Sequence, residues 1–313
     1  MCQQTQIETV LPFYGRWMER LPTVEKLAAA SEEEVLGLWQ GLGYYRRARM
    51  LQAGARQVVE RGWPRNAKQW REISGVGDYT AGAIASIALG EPAALVDGNV
   101  ARVMARFYAR RESGAALLKW AWPVAREWVD RESPGDWNQA LMELGALVCT
   151  PPKPKCQSCP LRPGCSAAEQ GLTAEIPTPK PRPKVVELEW SVILTEHAGV
   201  WAVNQIPAGE WWEGMWEFPT ERESAALAQG QALAPTSRGS APKRRNDEHS
   251  VYLGTIVHTV THHRIRVQVW HTNGGCPEDG IRWVTSEELT VLPMPALQRK
   301  AFRLLAGAQK RLF

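Results

Sequence analysis

The sequence predicts a mainly α N-terminal half joined by a proline-rich linker to an α+β C-terminal domain, and three observations carry that prediction. Apolar residues recur at three- and four-residue spacing from Thr23 to about Val148. The run IPTPKPRPKVV, residues 176–186, holds four prolines and three basic residues. Beyond it, β-branched and aromatic residues alternate as they do in strands. At 313 residues the chain suits two cores better than one, since a domain spans about 100 to 200 residues. The expected division is residues 1–175, a linker at 176–187, and a second domain at 188–313.

In the first half, the segments VEKLAAASEEEVLGLWQGLG and VARVMARFYARR both place their apolar residues on one helical face. The linker composition favours extended polyproline structure over a packed element. In the second half, WSVILTE, GVWAVNQ, HTVTHHRIRVQVW and IRWVT carry the strand signals. Between them, residues from about Glu223 to Glu248 are rich in Ala, Ser, Pro, Arg and Gln without hydrophobic period, which predicts a mobile insertion.

Composition narrows the function classes. No apolar run reaches the roughly 18 residues that a membrane helix needs, so a soluble protein without a membrane partner is expected. The opening MCQQTQIETV has neither a basic start with an apolar core nor an Arg-rich transit pattern, and a cytoplasmic location is expected. Lys and Arg exceed Asp and Glu by only 37 to 33, which permits local basic patches without establishing a nucleic-acid partner. Most of the 15 tryptophans are expected in the core.

Four of the six cysteines form Cys149-x6-Cys156-x2-Cys159-x5-Cys165 in a Pro-rich loop bearing Lys153, Lys155 and Arg162. In a reducing compartment four clustered thiols read as metal ligands, either of an iron–sulfur cubane or of a structural zinc. One Cys-x2-Cys pair flanked by wider gaps favours the cubane, because structural zinc more often uses two such pairs. The loop's basic residues read equally as a phosphate-facing surface or as solvated side chains.

Upstream, ISGVGDYTAGAIAS places Gly75 and Gly77 just ahead of a small-residue helix, where successive backbone amides can hold a phosphate. Some twenty residues on, Leu95-Val96-Asp97-Gly98-Asn99-Val100 sets an aspartate at another helix start. Taken alone, Asp97 serves as a helix N-cap as readily as a catalytic group.

The order of Gly-Val-Gly hairpin, Val-Asp-Gly-Asn-Val and cysteine loop resembles the helix-hairpin-helix glycosylases of the endonuclease III superfamily over most of residues 1 to 170. Gln3-Gln4-Thr5-Gln6 and Gly41-Leu42-Gly43-Tyr44-Tyr45 narrow the resemblance to the MutY-type adenine glycosylases. Bifunctional relatives carry a lysine where this chain has Tyr79, and a tyrosine cannot form the Schiff base that lyase chemistry needs. The resemblance implies a six-helix module with an iron–sulfur domain holding a [4Fe-4S] cluster on Cys149, Cys156, Cys159 and Cys165. It implies that Asp97 offsets the cationic sugar as adenine leaves, with Tyr79 and Asn99 lining the site. It implies that Gln3, Gln4, Leu42 and Tyr44 wedge into the duplex, and that Gly75 and Gly77 meet a phosphate. Core packing is an equal reading for Leu42.

The tract Ile206–Pro219 resembles the opening of the Nudix-like C-terminal domain of MutY proteins. A nucleotide hydrolase of this fold needs a helix bearing clustered glutamates, and only Glu221 and Glu223 follow Phe218 before an Ala-rich stretch. The resemblance implies instead that the domain recognises 8-oxoguanine. Its Phe-Ser-His loop corresponds here to Val260-Thr261-His262, in which Thr261 keeps a hydroxyl for the lesion while the aromatic is replaced. His258, His262, His263 and His271 read as scattered surface histidines.

The expected function is therefore monofunctional hydrolysis of the N-glycosidic bond of adenine paired with 8-oxoguanine or guanine in double-stranded DNA, by a monomer that joins the nucleoid when bound to DNA. The resemblance places a general-acid glutamate shortly before the QQTQ segment, in a stretch this sequence does not contain, and such an acid commonly contributes about a hundred- to ten-thousand-fold. An N-terminally truncated sequence whose natural start lies upstream is expected. The alternative is a catalytically impaired lesion-binding protein.

Overall fold

The computed structural model describes residues 1–2, 5–179, 181, 183–223, 250–274 and 280–309. Contacts divide the chain into two compact units, residues 53–182 and residues 1–52 with 183–313.

The first of these units is helical. It holds most of α4 (Arg46–Arg61), then α5 (Ala67–Trp70), α6 (Asp78–Leu89), α7 (Gly98–Phe107), α8 (Gly114–Trp128) and α9 (Pro134–Glu143). A π-helical turn at Leu144–Val148, a 3-10 turn at Cys156–Ser158 and α10 (Ser166–Glu169) complete it. Its core joins Leu95, Val100, Met104, Leu117, Ala121, Leu141 and Ile176, and burying each large aliphatic side chain contributes about 1.5 to 3 kcal/mol. Gly82 lets α6 lie against the backbone before Asp97, since a Cβ there would stand 2.1 Å from the Ala94 carbonyl oxygen. Asn138 of α9 fastens the same segment, donating to Ala93 O and to Ser86 Oγ at 2.9 Å each. These contacts fix where α7 begins.

The other unit begins with α1 (Ile7–Arg20), α2 (Val24–Ala29) and α3 (Glu32–Trp39). The single apolar stretch read from 24 onward is two helices, because Ser31 starts a new one by accepting from the Glu34 amide at 3.1 Å. Past the linker the strands are β1 (Val186–His197), β2 (Val200–Gln205), β3 (Trp216–Glu217), β4 (Thr220–Glu223), β5 (Ser250–Val260), β6 (His263–Asn273) and β7 (Arg282–Thr285). They lie in the order β3-β2-β1-β6-β5, with β4 on β1 and β7 on β2. Strands β1 and β6 run parallel, Trp190 facing Val267, and β5 and β6 form a hairpin. Helices α11 (Ser286–Val291) and α12 (Ala296–Gln309) follow, and Leu297, Ala301 and Leu305 of α12 join the core that Leu188, Val192, Leu194 and Val269 provide.

Buried polar groups tie this second core together. Arg222 donates to the 1% exposed Glu217 at 2.5 Å and lies over the Trp190 ring, while Gln298 bridges Glu217 and Thr220. Helix α3 packs on the strand domain within this unit: Trp216 Nε1 donates to Glu33 Oε2 at 2.9 Å. The insertion expected at 223–248 lies almost wholly outside the described residues.

Candidate active site and cysteine loop

Gly77 caps α6 with extended backbone, and Gly75, at φ +81, supplies the left-handed turn before it. A Cβ at Gly77 would meet nothing within 4 Å. Packing among the described residues therefore sets no demand for a glycine there. At the second residue of α6, the Tyr79 hydroxyl lies 3.1 Å from Met142 Sδ. Burial raises its pKa above the ordinary tyrosine value, and the nearby charge of Asp97 raises it further, so the phenol stays neutral.

Asp97 is the N-cap of α7, and Oδ1 accepts from the Val100 amide at 2.7 Å. The capping role is real and leaves the other oxygen for other work. Among the described residues, Oδ2 receives only a long contact of 3.4 Å from Asn99 Nδ2. Asn99 is held in turn by Arg102, whose Nη2 donates to Asn99 Oδ1 at 2.8 Å. The same guanidinium donates to Gly145 O and, through Nε, to Cys149 O, both at 2.8 Å. Asp97, Tyr79 and Asn99 are thus gathered at one place.

The π-helical turn Leu144–Val148 presses its backbone onto Asn99. A Cβ at Gly145 would stand 2.7 Å from Asn99 Cβ, so only glycine allows the approach. Such turns widen a helix by one residue and concentrate at functional sites.

Cys149 ends that turn, Cys156 opens the 3-10 turn, Cys159 follows it and Cys165 caps α10. All four thiols are free and half-buried. Burial pushes the Cys159 thiol up, and the charges of Cys149, Cys165 and Cys156 raise it further. Among the described residues no three His, Cys, Asp or Glu side chains converge on the spacing of a single ion. Arg106, buried to 2% exposure, fastens the loop. Its guanidinium donates to Cys149 Sγ at 3.3 Å, to Thr150 O at 2.8 Å and to Pro151 O and Ile176 O at 2.9 Å each.

In the other unit, Leu42 is only 6% exposed, whereas Tyr44 is 52% exposed at φ +49. Trp39 Nε1 donates to Gly43 O at 3.0 Å and Tyr45 Oη accepts from Gly41 N at 3.2 Å, closing the loop on itself. Arg47 lies over the Trp39 and Tyr44 rings. Gln3 and Gln4 lie outside the described residues. Thr261 and His262 form the β5–β6 turn, Thr261 at φ +55 with Oγ1 3.4 Å from His262 Nδ1. The histidines are not scattered on the surface: His258 packs on Trp212, His263 on Trp211, and His271 pairs with Glu196 at 3.3 Å.

Sequence reading missed Arg102, Arg106 and Gly145. Helical spacing from Asn99 pointed to Arg102, and an arginine on the apolar face of α7 pointed to Arg106. Nothing local marked Gly145, whose importance comes from a segment 46 residues earlier.

Residues 1–119 match the HhH-GPD superfamily of base excision DNA repair proteins, and residues 190–304 match the NUDIX domain. An adenine DNA glycosylase of Homo sapiens is 36% identical over 99% of this chain and 67% of its own length. That of Mus musculus is 34% identical over 97% and 70%. A solved thermostable thymine-DNA glycosylase is 29% identical over 54% of this chain and 80% of its own, with a TM-score of 0.48. Identity of this extent runs through both the helical half that bears Asp97 and the strand half beyond the linker, and the chain belongs to the adenine DNA glycosylases, base excision repair enzymes with a Nudix-like C-terminal domain.

Proposed function

We propose that this enzyme hydrolyses the N-glycosidic bond of adenine mispaired with 8-oxoguanine or guanine in duplex DNA. The observation that carries the reading is the Asp97 carboxylate, which caps α7 through one oxygen and keeps the other almost free beside neutral Tyr79 and Asn99. Loss of the base builds positive charge on the deoxyribose, and a fixed carboxylate in a half-buried site stabilises it. Asn99, clamped by Arg102, orients Oδ2 toward that charge. The Tyr79 phenol, kept neutral beside Asp97, does not compete as a base. The target base must leave the stack to reach such a site. Tyr44, exposed in a left-handed backbone and braced by Arg47, suits the role of wedge, while the burial of Leu42 supports packing within the same loop. The amides at Gly75 and Gly77 would hold a backbone phosphate, and Thr261 and His262 would read the lesion.

The four thiols fit a [4Fe-4S] cluster by donor chemistry: all are free, and Cys149 is backed by the buried Arg106 guanidinium. Cys149, Cys156, Cys159 and Cys165 would hold it. When bound, such a cluster supplies a compact thiolate-ligated iron–sulfur centre that ties the four cysteines of the loop together. The division into a glycosylase region at 1–175, a linker at 176–187 and a lesion-recognition domain at 188–313 accords with this assignment of roles, as do a monomer and a cytoplasmic, nucleoid-associated location.

The test is single-turnover release of adenine from a duplex carrying adenine opposite 8-oxoguanine, by the wild type and by Asp97→Asn. Release by the wild type that falls at least about a hundredfold in the variant is expected. Equal rates would remove Asp97 from the mechanism, and binding without release by the wild type would leave a lesion-binding protein.

A further inference from the structure

Two loops to which the proposed function gives roles, the 41–45 loop and the β5–β6 turn, lie in the same compact unit. A short stretch of the tract between β2 and β3 touches both. At one end Glu213 Oε1 pairs with Arg49 Nη1, at 28% and 21% side-chain exposure, just past the 41–45 loop in α4. Glu213 Oε2 accepts from the Gly209 amide at 2.9 Å, which fixes the carboxylate. At the other end, the Trp211 ring stands 4.9 Å from the His263 ring and the Trp212 ring 6.1 Å from His258, the residues flanking the turn that carries Thr261 and His262. Trp212 itself is held at φ +63, a conformation a tryptophan adopts only when its surroundings impose it. The other end of the 41–45 loop is also held from the strand domain, with Gln40 Oε1 accepting from Arg299 Nη2 at 3.4 Å.

We propose that the Trp211-Trp212-Glu213 segment is a positioning relay: contact of the β5–β6 turn with the lesion base shifts the tryptophans and, through Glu213–Arg49, sets the 41–45 loop for insertion. This rests on the reading of Tyr44 as the wedge and of Thr261 and His262 as the lesion contact. Arg49 and Glu213 touch no base in this scheme, and their effect is on discrimination between 8-oxoguanine and guanine rather than on bond cleavage.

The test measures affinity of the full chain for two duplexes, adenine opposite 8-oxoguanine and adenine opposite guanine, by fluorescence anisotropy. Wild type, Glu213→Gln, Trp211→Phe and the charge swap Arg49→Glu with Glu213→Arg are compared, with thermal melting as a check on folding. The expected result is a wild-type preference for 8-oxoguanine that falls at least about fivefold in Glu213→Gln and in Trp211→Phe and returns in the swap. A merely structural contact would weaken both duplexes alike and leave their ratio unchanged. That outcome, or a wild type with no preference, overturns the relay. Adenine release measured on the same duplexes keeps the two readings apart: its absence in the wild type sinks the glycosylase mechanism, while the affinity ratio still decides the relay.

Discussion

Arg106 Nη1 donates to Cys149 Sγ at 3.3 Å, so a fully buried guanidinium on the core face of α7 backs the first thiol of the cysteine loop. The same side chain reaches the carbonyls of Thr150, Pro151 and Ile176. A lysine presents its donors at one point and cannot span these acceptors. Arg106→Lys is therefore expected to leave two or more buried carbonyls unpaired at about 1 to 3 kcal/mol each. Urea unfolding should show a loss of about 2 kcal/mol or more, together with weaker visible absorbance from the proposed cluster. A loss within about 0.5 kcal/mol would mean that the loop is held by other contacts.

The double duty of Asp97 can be separated by two substitutions. Asparagine caps helices as well as aspartate does, so Asp97→Asn should keep the stability within about 0.5 kcal/mol of wild type while adenine release collapses. Asp97→Ala loses the cap as well and should cost about 1 kcal/mol in addition. If Asp97→Asn unfolds as readily as Asp97→Ala, the carboxylate charge matters to folding and the separation fails.

Gly145 makes a packing prediction with a catalytic readout. A Cβ 2.7 Å from Asn99 Cβ and 3.1 Å from the Asn99 carbonyl carbon must push the π-helical turn away from α7 or displace Asn99. Gly145→Ala should cost about 1 to 3 kcal/mol, the range for overpacking a close contact. It should also lower the single-turnover rate, because Asn99 carries the second oxygen of Asp97. Gly77→Ala is its counterpart: with no neighbour within 4 Å and φ −91, it should leave stability within about 0.5 kcal/mol. Duplex affinity, measured by anisotropy, should fall if, as proposed, a backbone phosphate sits there and the added methyl crowds it. Unchanged affinity would remove the α6 N-terminus from the interface.

What the sequence disclosed was local. Gly75 and Gly77 marked a turn into one helix and Asp97 the start of another, because each rests on backbone chemistry within a few residues. The strand domain was legible from alternation along β1 and β6. The contacts that hold these parts in place join distant positions and have no local signature. Glu213 finds Arg49 across 164 residues, and Gly145 meets Asn99 across a helix pair. Leu42 shows the other kind of failure: a leucine beside two glycines reads equally as wedge or core, and only its burial separates the two.

The Glu213–Arg49 contact also predicts a pH dependence. The hydrogen bond from Arg49, followed by that from the Gly209 amide, holds the Glu213 carboxyl below its ordinary value. A depressed folded-state pKa means that the stabilisation is complete above the unfolded value of about 4.3 and is lost as pH falls through the folded one. Thermal melts of wild type and Glu213→Gln should therefore differ by a constant amount from about pH 6 upward, on the order of 1 kcal/mol for a partly exposed pair. The difference should shrink below about pH 4 and vanish once the carboxyl is protonated. Added salt should reduce it in the upper range, since part of the pair faces solvent. A difference that persisted unchanged into acid would show that Glu213 acts there through packing and not through its charge.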